Sequence, residues 1–355
     1  MAELPILKRT IEALRELDLV VDERKMPRAE GGVRADAWLR VKKNRQEAND
    51  YVVEVKRVVT PATVGATVAQ LNQFAGTFDR IPLLVTTHVT PPVAQRLREL
   101  DQQFADTAGN AYLTGPGLLI FVVGRKPEEK PLRNRRDRLF TTAGVKVLFA
   151  LICDPELAKA PHRAIAAAAG VALGSVPAVL AEMKRQECLL VAGKNRRLNA
   201  TRRLLDDWAL AYARILRPKT LLATYTMPNF AGWANWKLPR GEARWGGEPA
   251  ANLLVRFLKP GVLTIYAQKP PARLMVTQRW TVAGVPGTTN TVEIRKPFWG
   301  ETLKPGGEFD TVTPALIYAD LLAAGNARCI ETAKMVYDGY LARLFPTAIA
   351  VNVDS

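Results

Sequence analysis

The chain has 355 residues, 48% hydrophobic and 24% charged, enough for two or three domains with filled cores. Its 50 Lys and Arg against 34 Asp and Glu give a formal net charge of +16, which points to a polyanionic partner. Three scattered cysteines (Cys153, Cys188, Cys329) and two histidines (His88, His162) exclude a disulfide framework, a cysteine-based zinc site and a multi-histidine metal centre. No apolar run reaches bilayer-spanning length, so no membrane role is expected. The first residues lack a basic stretch followed by an apolar one, which makes the cytoplasm the expected location.

From residue 1 to about 126, helices and strands are mixed. Ile6 to Leu17 is read as a helix, with Ile6, Thr10, Leu14 and Leu17 on one face. A short strand follows at Leu19 to Val21. Val33 to Val41 alternates: Val33, Ala35, Ala37, Leu39 and Val41 point one way, and Arg34, Asp36, Trp38 and Arg40 the other. Tyr51 to Val59 is a β-branched strand. Thr60 is placed to cap, and Pro61 to open, a helix running to about Phe78. Ile81 to Thr86 is a buried strand, Pro92 to Leu100 a helix and Gly117 to Val123 a last strand, an order that predicts an α/β domain. Residues 124–138 then hold seven basic and three acidic side chains with two prolines, the composition of an exposed linker or arm, placed at 127–140.

Residues 141–218 read as mostly helical. Helices are expected at Val145 to Ile152, Pro161 to Ala169 and Ser175 to Glu187, then a hairpin from Cys188 through Gly193 to Arg197, then an amphipathic helix over 201–218. Residues 219–355 mix strands (Leu263 to Ala267, Thr291 to Ile294) with helices (Pro249 to Phe257, Pro314 to Ala323, Arg328 to Leu341), a further α/β domain. Gly246-Gly247 before a helix can form an anion-binding N-terminus or a plain turn, and Glu248 argues for the turn. Walker A and Rossmann spacings are missing, so nucleotide hydrolysis is not suggested.

Within Tyr51-Val52-Val53-Glu54-Val55-Lys56, Glu54 and Lys56 share one strand face and Val53 and Val55 the other. If the preceding strand pairs with this one, Asp36 and Glu54 converge on one divalent cation. Hard carboxylate oxygens on rigid strands suit Mg²⁺, which would act as Lewis acid on a phosphodiester. The plainer alternative is a cross-strand charge pair. Asp36, Glu54-Val55-Lys56, an upstream helix with Glu12 and a downstream helix with Gln70 resemble the PD-(D/E)xK restriction-endonuclease-like fold, with Ala35 where the motif carries proline. The resemblance implies metal ligation by Asp36 and Glu54, catalytic assistance by Lys56, and accessory roles for Glu12 and Gln70. The fold also persists in proteins that bind without cutting.

Ile165 to Val176 has helix-turn-helix spacing: small Ala166, Gly170 for a left-handed turn, and Val176 packing the next helix. Ser175 is expected to cap that helix, with Pro177 in its first turn. The helix offers Ser175, Lys184 and Arg185 to DNA. The following wing carries Lys194, Arg196, Arg197, Arg202 and Arg203 without an acid, placed to grip phosphates. An alanine-rich bundle with a solvated basic loop is the alternative. His162 reads as a surface residue or phosphate contact.

Four phrases, Phe104 to Leu113, Gly144 to Leu151, Trp245 to Ala251 and Ala327 to Lys334, resemble the AbiEi-type antitoxin family of type IV toxin–antitoxin systems. The resemblance implies a DNA-binding regulator that represses its own operon and counteracts a nucleotidyltransferase-like toxin. That family opens with its winged helix, whereas here an α/β domain precedes it. The expectation is thus an α/β multidomain chain: a restriction-endonuclease-like domain, a central winged helix-turn-helix and a C-terminal α/β domain. Double-stranded DNA is the expected partner, with a metal-dependent endonuclease as the alternative function. The oligomeric state, a homodimer included, is left open.

Overall fold

Strict alternation of buried and half-exposed residues along Ala37–Lys43 lays Ala37, Leu39 and Val41 on one sheet face, as the sequence pattern requires. The computed structural model describes residues 3–24, 35–43, 46–78, 80–127, 139–193, 195–282, 290–303, 306 and 310–347. The chain divides into two compact units, residues 1–134 with 347–355, and residues 135–346. Both mix helices with sheets.

In the first unit α1 (Glu3–Arg15) precedes β1 (Leu19–Arg24), β2 (Ala37–Lys43) and β3 (Asn49–Lys56). Then come α2 (Val64–Phe78), β4 (Ile81–Thr86), α3 (Pro91–Glu99), β5 (Gln103–Asp106), β6 (Ala111–Gly115) and β7 (Leu118–Val122). The strands lie side by side in chain order: β1 to β3 run antiparallel, β3 to β5 parallel, and β5 to β7 antiparallel. Ile6, Leu7, Ile11 and Leu14 of α1 share a core with Leu39, Val53, Val55 and Val85. Val64, Val68 and Leu71 of α2 and Val93 and Leu97 of α3 are buried outside that core, and alternation turns Val52, Leu84 and Phe104 toward them.

Two expectations need correction here. Residues 61–63 form a turn, tied by the Thr60 carbonyl accepting from the Thr63 and Val64 amides, and α2 begins at Val64 rather than Pro61. After α3 the sheet gains β5, β6 and β7 where the sequence pattern marks one strand. Residues 107–110 connect β5 to β6 around buried Asp106, which accepts from the amides of Val89, Ala108 and Asn110 and from Asn110 Nδ2.

The second unit opens with α4 (Thr142–Cys153), α5 (His162–Ala169) and α6 (Val176–Arg185), then the antiparallel pair β8 (Leu189–Ala192) and β9 (Asn195–Leu198). Helices α7 (Arg202–Ile215) and α8 (Arg217–Thr220) lead to β10 (Leu221–Thr226), β11 (Ala243–Gly246), α9 (Gly247–Val255) and β12 (Val262–Ala267). The unit continues with α10 (Ala272–Thr277), β13 (Thr281–Val282), β14 (Thr291–Arg295), α11 (Pro314–Ala324) and α12 (Ala327–Val336). The second sheet runs β11-β12-β14-β10-β13, with β12 and β14 parallel.

A buried polar centre joins these layers. Asp320 of α11 accepts from Tyr212 of α7 at 2.8 Å, from Tyr266 of β12 at 3.0 Å and from Arg217 at 3.3 Å. Burial, with the Asp320 charge beside them, pushes the Tyr212 and Tyr266 phenols well above their ordinary values. Gly246-Gly247 is a packing device, not an anion site: a Cβ on Gly246 would lie 2.5 Å from the Tyr266 ring, and buried Glu248 accepts from the Gly261 amide at 2.6 Å.

A tyrosine whose folded pKa is raised binds its proton more tightly than in the unfolded chain. Its stabilisation is complete below the unfolded value of about 10 and is lost as pH climbs past it. Urea midpoints are therefore expected to fall above about pH 10, and less steeply in Tyr266→Phe than in the parent. An equal slope in both proteins contradicts the assignment.

Candidate functional site

In the first unit the register of β2 and β3 starts with Ala37 paired to Val53, and Asp36 stands just ahead of that first pair. The Asp36 amide donates to the Val53 carbonyl at 2.9 Å, and Asp36 Oδ2 accepts from the Val55 amide at 2.6 Å. Lys56 Nζ lies 2.8 Å from Glu54 Oε1, both side chains largely buried. Thr86 sits beside Lys56 in the parallel register, and Asp106 beside Thr86. His88 Nδ1 lies 3.3 Å from Asp106 Oδ2. The carboxyl ends of β3, β4 and β5 thus gather polar groups that the sequence alone does not combine, because their proximity depends on β5.

Gln70 is buried on α2, which packs on β3 and β4. Glu12 is corrected: it is exposed on α1, and α1 covers the face of Val53 and Val55, opposite Glu54 and Lys56. The structure holds no group of three or more His, Cys, Asp or Glu suited to a metal among the described residues. Asp36 and Glu54, at the same end of β3, are the hard oxygen donors that Mg²⁺ takes, an ion that keeps several waters and needs few protein ligands.

In the second unit α5 and the segment Leu173–Arg185 meet at a bend of 109°. Gly170 makes that bend, at φ 61° and ψ 47°, and its amide bonds the Ala166 carbonyl. Ile165, Ala166, Val176, Leu180 and Met183 bury the inner faces. Ser175 is corrected as a cap: it is helical, its side chain makes no capping bond, and a 3-10 turn over Leu173–Ser175 runs straight into α6. It is half-buried, ahead of exposed Pro177, Ala181, Lys184 and Arg185 on α6. Arg185 pairs with Glu182 one turn earlier.

The basic residues after α6 divide. Arg197 on β9 is exposed, and Arg203 is 81% exposed with Asp207 at 3.8 Å. Arg196 instead donates to the Ala160 carbonyl at 2.6 Å, which anchors β9 to the segment before α5. Arg202 is corrected outright as a DNA contact. Its guanidinium lies 3.4 Å from the centroid of the Tyr337 ring and bonds Asp206 at 3.4 Å, with its side chain 12% exposed. Lys194 lies outside the described residues. Lys146 carries no signal in the sequence pattern, yet its Nζ reaches the Gly170 carbonyl at 3.4 Å, and its pKa is lowered by burial and by neighbouring Lys296. His162 and Arg163 are exposed at the start of α5.

Helix pair, hairpin and second sheet together make one mixed α/β unit. Residues 197–342, from β9 past α12, match the family described as transcriptional regulator, AbiEi antitoxin, type IV TA system. Two of the four family phrases, Trp245 to Ala251 and Ala327 to Lys334, lie inside that span, and the other two lie outside it. No curated protein matches the chain. No single helix among the described residues is long and apolar enough to cross a membrane.

Neighbouring arginines on α7 provide a test. Arg202→Ala leaves Asp206 buried without its cation and is expected to cost about 2–4 kcal/mol in urea unfolding. Arg203→Ala is expected to leave the midpoint unmoved. Equal effects of the two changes would contradict this division of roles.

Proposed function

We propose that the chain is a DNA-binding transcriptional regulator of the antitoxin type, using α5, α6 and the β8–β9 hairpin as a winged helix-turn-helix. The observation that carries this reading is the 109° helix pair running through a basic hairpin into the segment that matches the regulator family. Helix α6 presents the small side chains of Pro177 and Ala181 toward the groove, with Lys184 and Arg185 behind them. With no Arg, Asn or Gln in its first turn, discrimination falls to groove shape and apolar contact with thymine methyl groups. Arg197, Arg203 and Lys194 supply phosphate contacts, and Lys146 with Lys296 adds positive charge beside the turn. By family resemblance the regulator acts on its own operon and counteracts a nucleotidyltransferase-like toxin.

Gel retardation on DNA upstream of the gene tests the reading. Binding is expected to weaken steeply with salt, and Arg197→Ala/Arg203→Ala to reduce the log–log salt slope by about 0.9 for each phosphate that is no longer neutralised. Retention of the parent slope in that double variant would overturn the wing assignment.

A second reading is favoured by Asp36, whose carboxylate accepts from the Val55 amide, standing near the paired Glu54 and Lys56 on β3. Here the first unit is a metal-dependent deoxyribonuclease. Asp36 and Glu54 would hold Mg²⁺, which supplies Lewis-acid activation of the phosphodiester. Lys56 would set the charge beside the scissile phosphate, and Gln70 would orient polar groups from α2. Supercoiled plasmid incubated with Mg²⁺ or Mn²⁺ decides it: nicking that vanishes with EDTA and in Lys56→Ala is expected for this reading. Retarded but intact plasmid in every lane would leave binding alone.

A further inference from the structure

A large cleft of the second unit, about 1530 Å³, opens between β11, β12, α10 and the segment after β14. Lys237, Arg244, Lys269 and Arg273 line it. None of these four side chains forms a hydrogen bond or ion pair among the described residues, in a unit where Arg202, Arg217 and Arg295 are all engaged by acids. Trp236 and Trp299 line the same cleft, both half-buried, with Tyr266 at its floor. Two carboxylates, Glu242 and Glu301, complete the wall.

We propose that this cleft binds a nucleoside phosphate, free or as an unpaired nucleotide of a nucleic-acid strand. Each group present has a counterpart in that ligand. Indole faces stack on bases, a contact that tolerates any base because every base has a π face. Lysine and arginine heads pair with phosphate oxygens. Carboxylates accept hydrogen bonds from exocyclic amino groups and ribose hydroxyls. An acidic peptide would satisfy the cations but leave the two indoles without a stacking partner, and a purely apolar ligand would leave four cations without partners. The volume exceeds the roughly 300–1,000 Å³ of a small-ligand pocket, so more than one nucleotide has room. The proposal does not depend on the winged-helix reading, because none of these residues lies on α5, α6 or the hairpin.

Titration of the full-length protein with ATP, and separately with an eight-residue oligothymidylate, tests it by tryptophan emission. Salt of about 0.3 M is used to screen non-specific contacts with exposed cations. Saturable quenching is expected, weakened roughly tenfold or more in Lys269→Ala/Arg273→Ala, as removal of two charge-assisted contacts should give. Both residues are exposed, so the fold is not at stake. Arg197→Ala/Arg203→Ala should leave the titration unchanged. Saturation by ATP identifies a free nucleotide, and saturation by the oligonucleotide alone identifies a strand; either supports the proposal. It is overturned by no saturable change with either probe, by quenching that survives the Lys269 and Arg273 changes, or by equal binding of a poly-glutamate peptide.

Discussion

The second unit depends on one buried carboxylate. Asp320 is buried, so its charge is met by protein donors, and three separate elements supply them: Tyr212, Tyr266 and Arg217. A second tier follows, since Arg217 and Arg295 share Glu293 and Arg295 donates to the Arg217 carbonyl at 2.8 Å. Each partner is useful only if α7, β12, β14 and α11 are all in register. A network of this kind selects one arrangement among several apolar packings of similar energy. Below it, Trp208 of α7 stacks on Phe149 of α4 and donates to the Val145 carbonyl at 3.1 Å. Helix α7 therefore ties α4 to the polar network of the sheet.

What was legible in the sequence follows the range of the forces involved. Alternation along Ala37 to Val41 records a sheet face directly, because each side chain meets the same environment every second residue, and the β-branched run from Tyr51 marks the strand buried beside it. Asp36 lies just ahead of that stretch, and its carboxylate reaches β3 at the Val55 amide, next to Glu54. Gly170 is legible for a similar reason: a left-handed residue at a helix end is a local demand. Strands β5, β6, β10 and β11 are not legible. Each is only four to six residues long, too short for a local period to mark it, and β10 and β11 pair with strands well removed in sequence. The phrase Phe104 to Leu113 reads in sequence as a family signature without chemistry. In the structure it is the shell of Asp106, with Gly109 at φ 82° and Asn110 bonded to both Asp106 and Arg125.

Charge is the least reliable guide at single residues. A formal excess of +16 says that cations outnumber anions, not which of them face solvent. Arg196, Arg197, Arg202 and Arg203 look equivalent in a basic run, yet one holds a carbonyl, one lies on an aromatic ring, and two point outward. Guanidinium groups are suited to this division, since a flat, weakly hydrated cation can be buried against a ring at small cost while a lysine ammonium cannot. The residues that can meet a polyanion are those left over after packing is satisfied.

The helix pair is not built from its own sequence alone. The Gly300 amide donates to the Ala168 carbonyl at 2.9 Å, and a Cβ on Gly300 would stand 1.7 Å from the Ala167 carbonyl oxygen. Gly170 meets the same backbone from the other side, with Gly300 N at 3.2 Å from its own would-be Cβ. Two glycines far apart in the chain thus permit one close approach, and the neighbouring Trp299 fills the space between Phe149 and Tyr266. The left-handed turn that aims α6 is therefore held by the strap that follows β14, inside the span that matches the regulator family. Local turn chemistry selects the bend, and the distant strap fixes its angle.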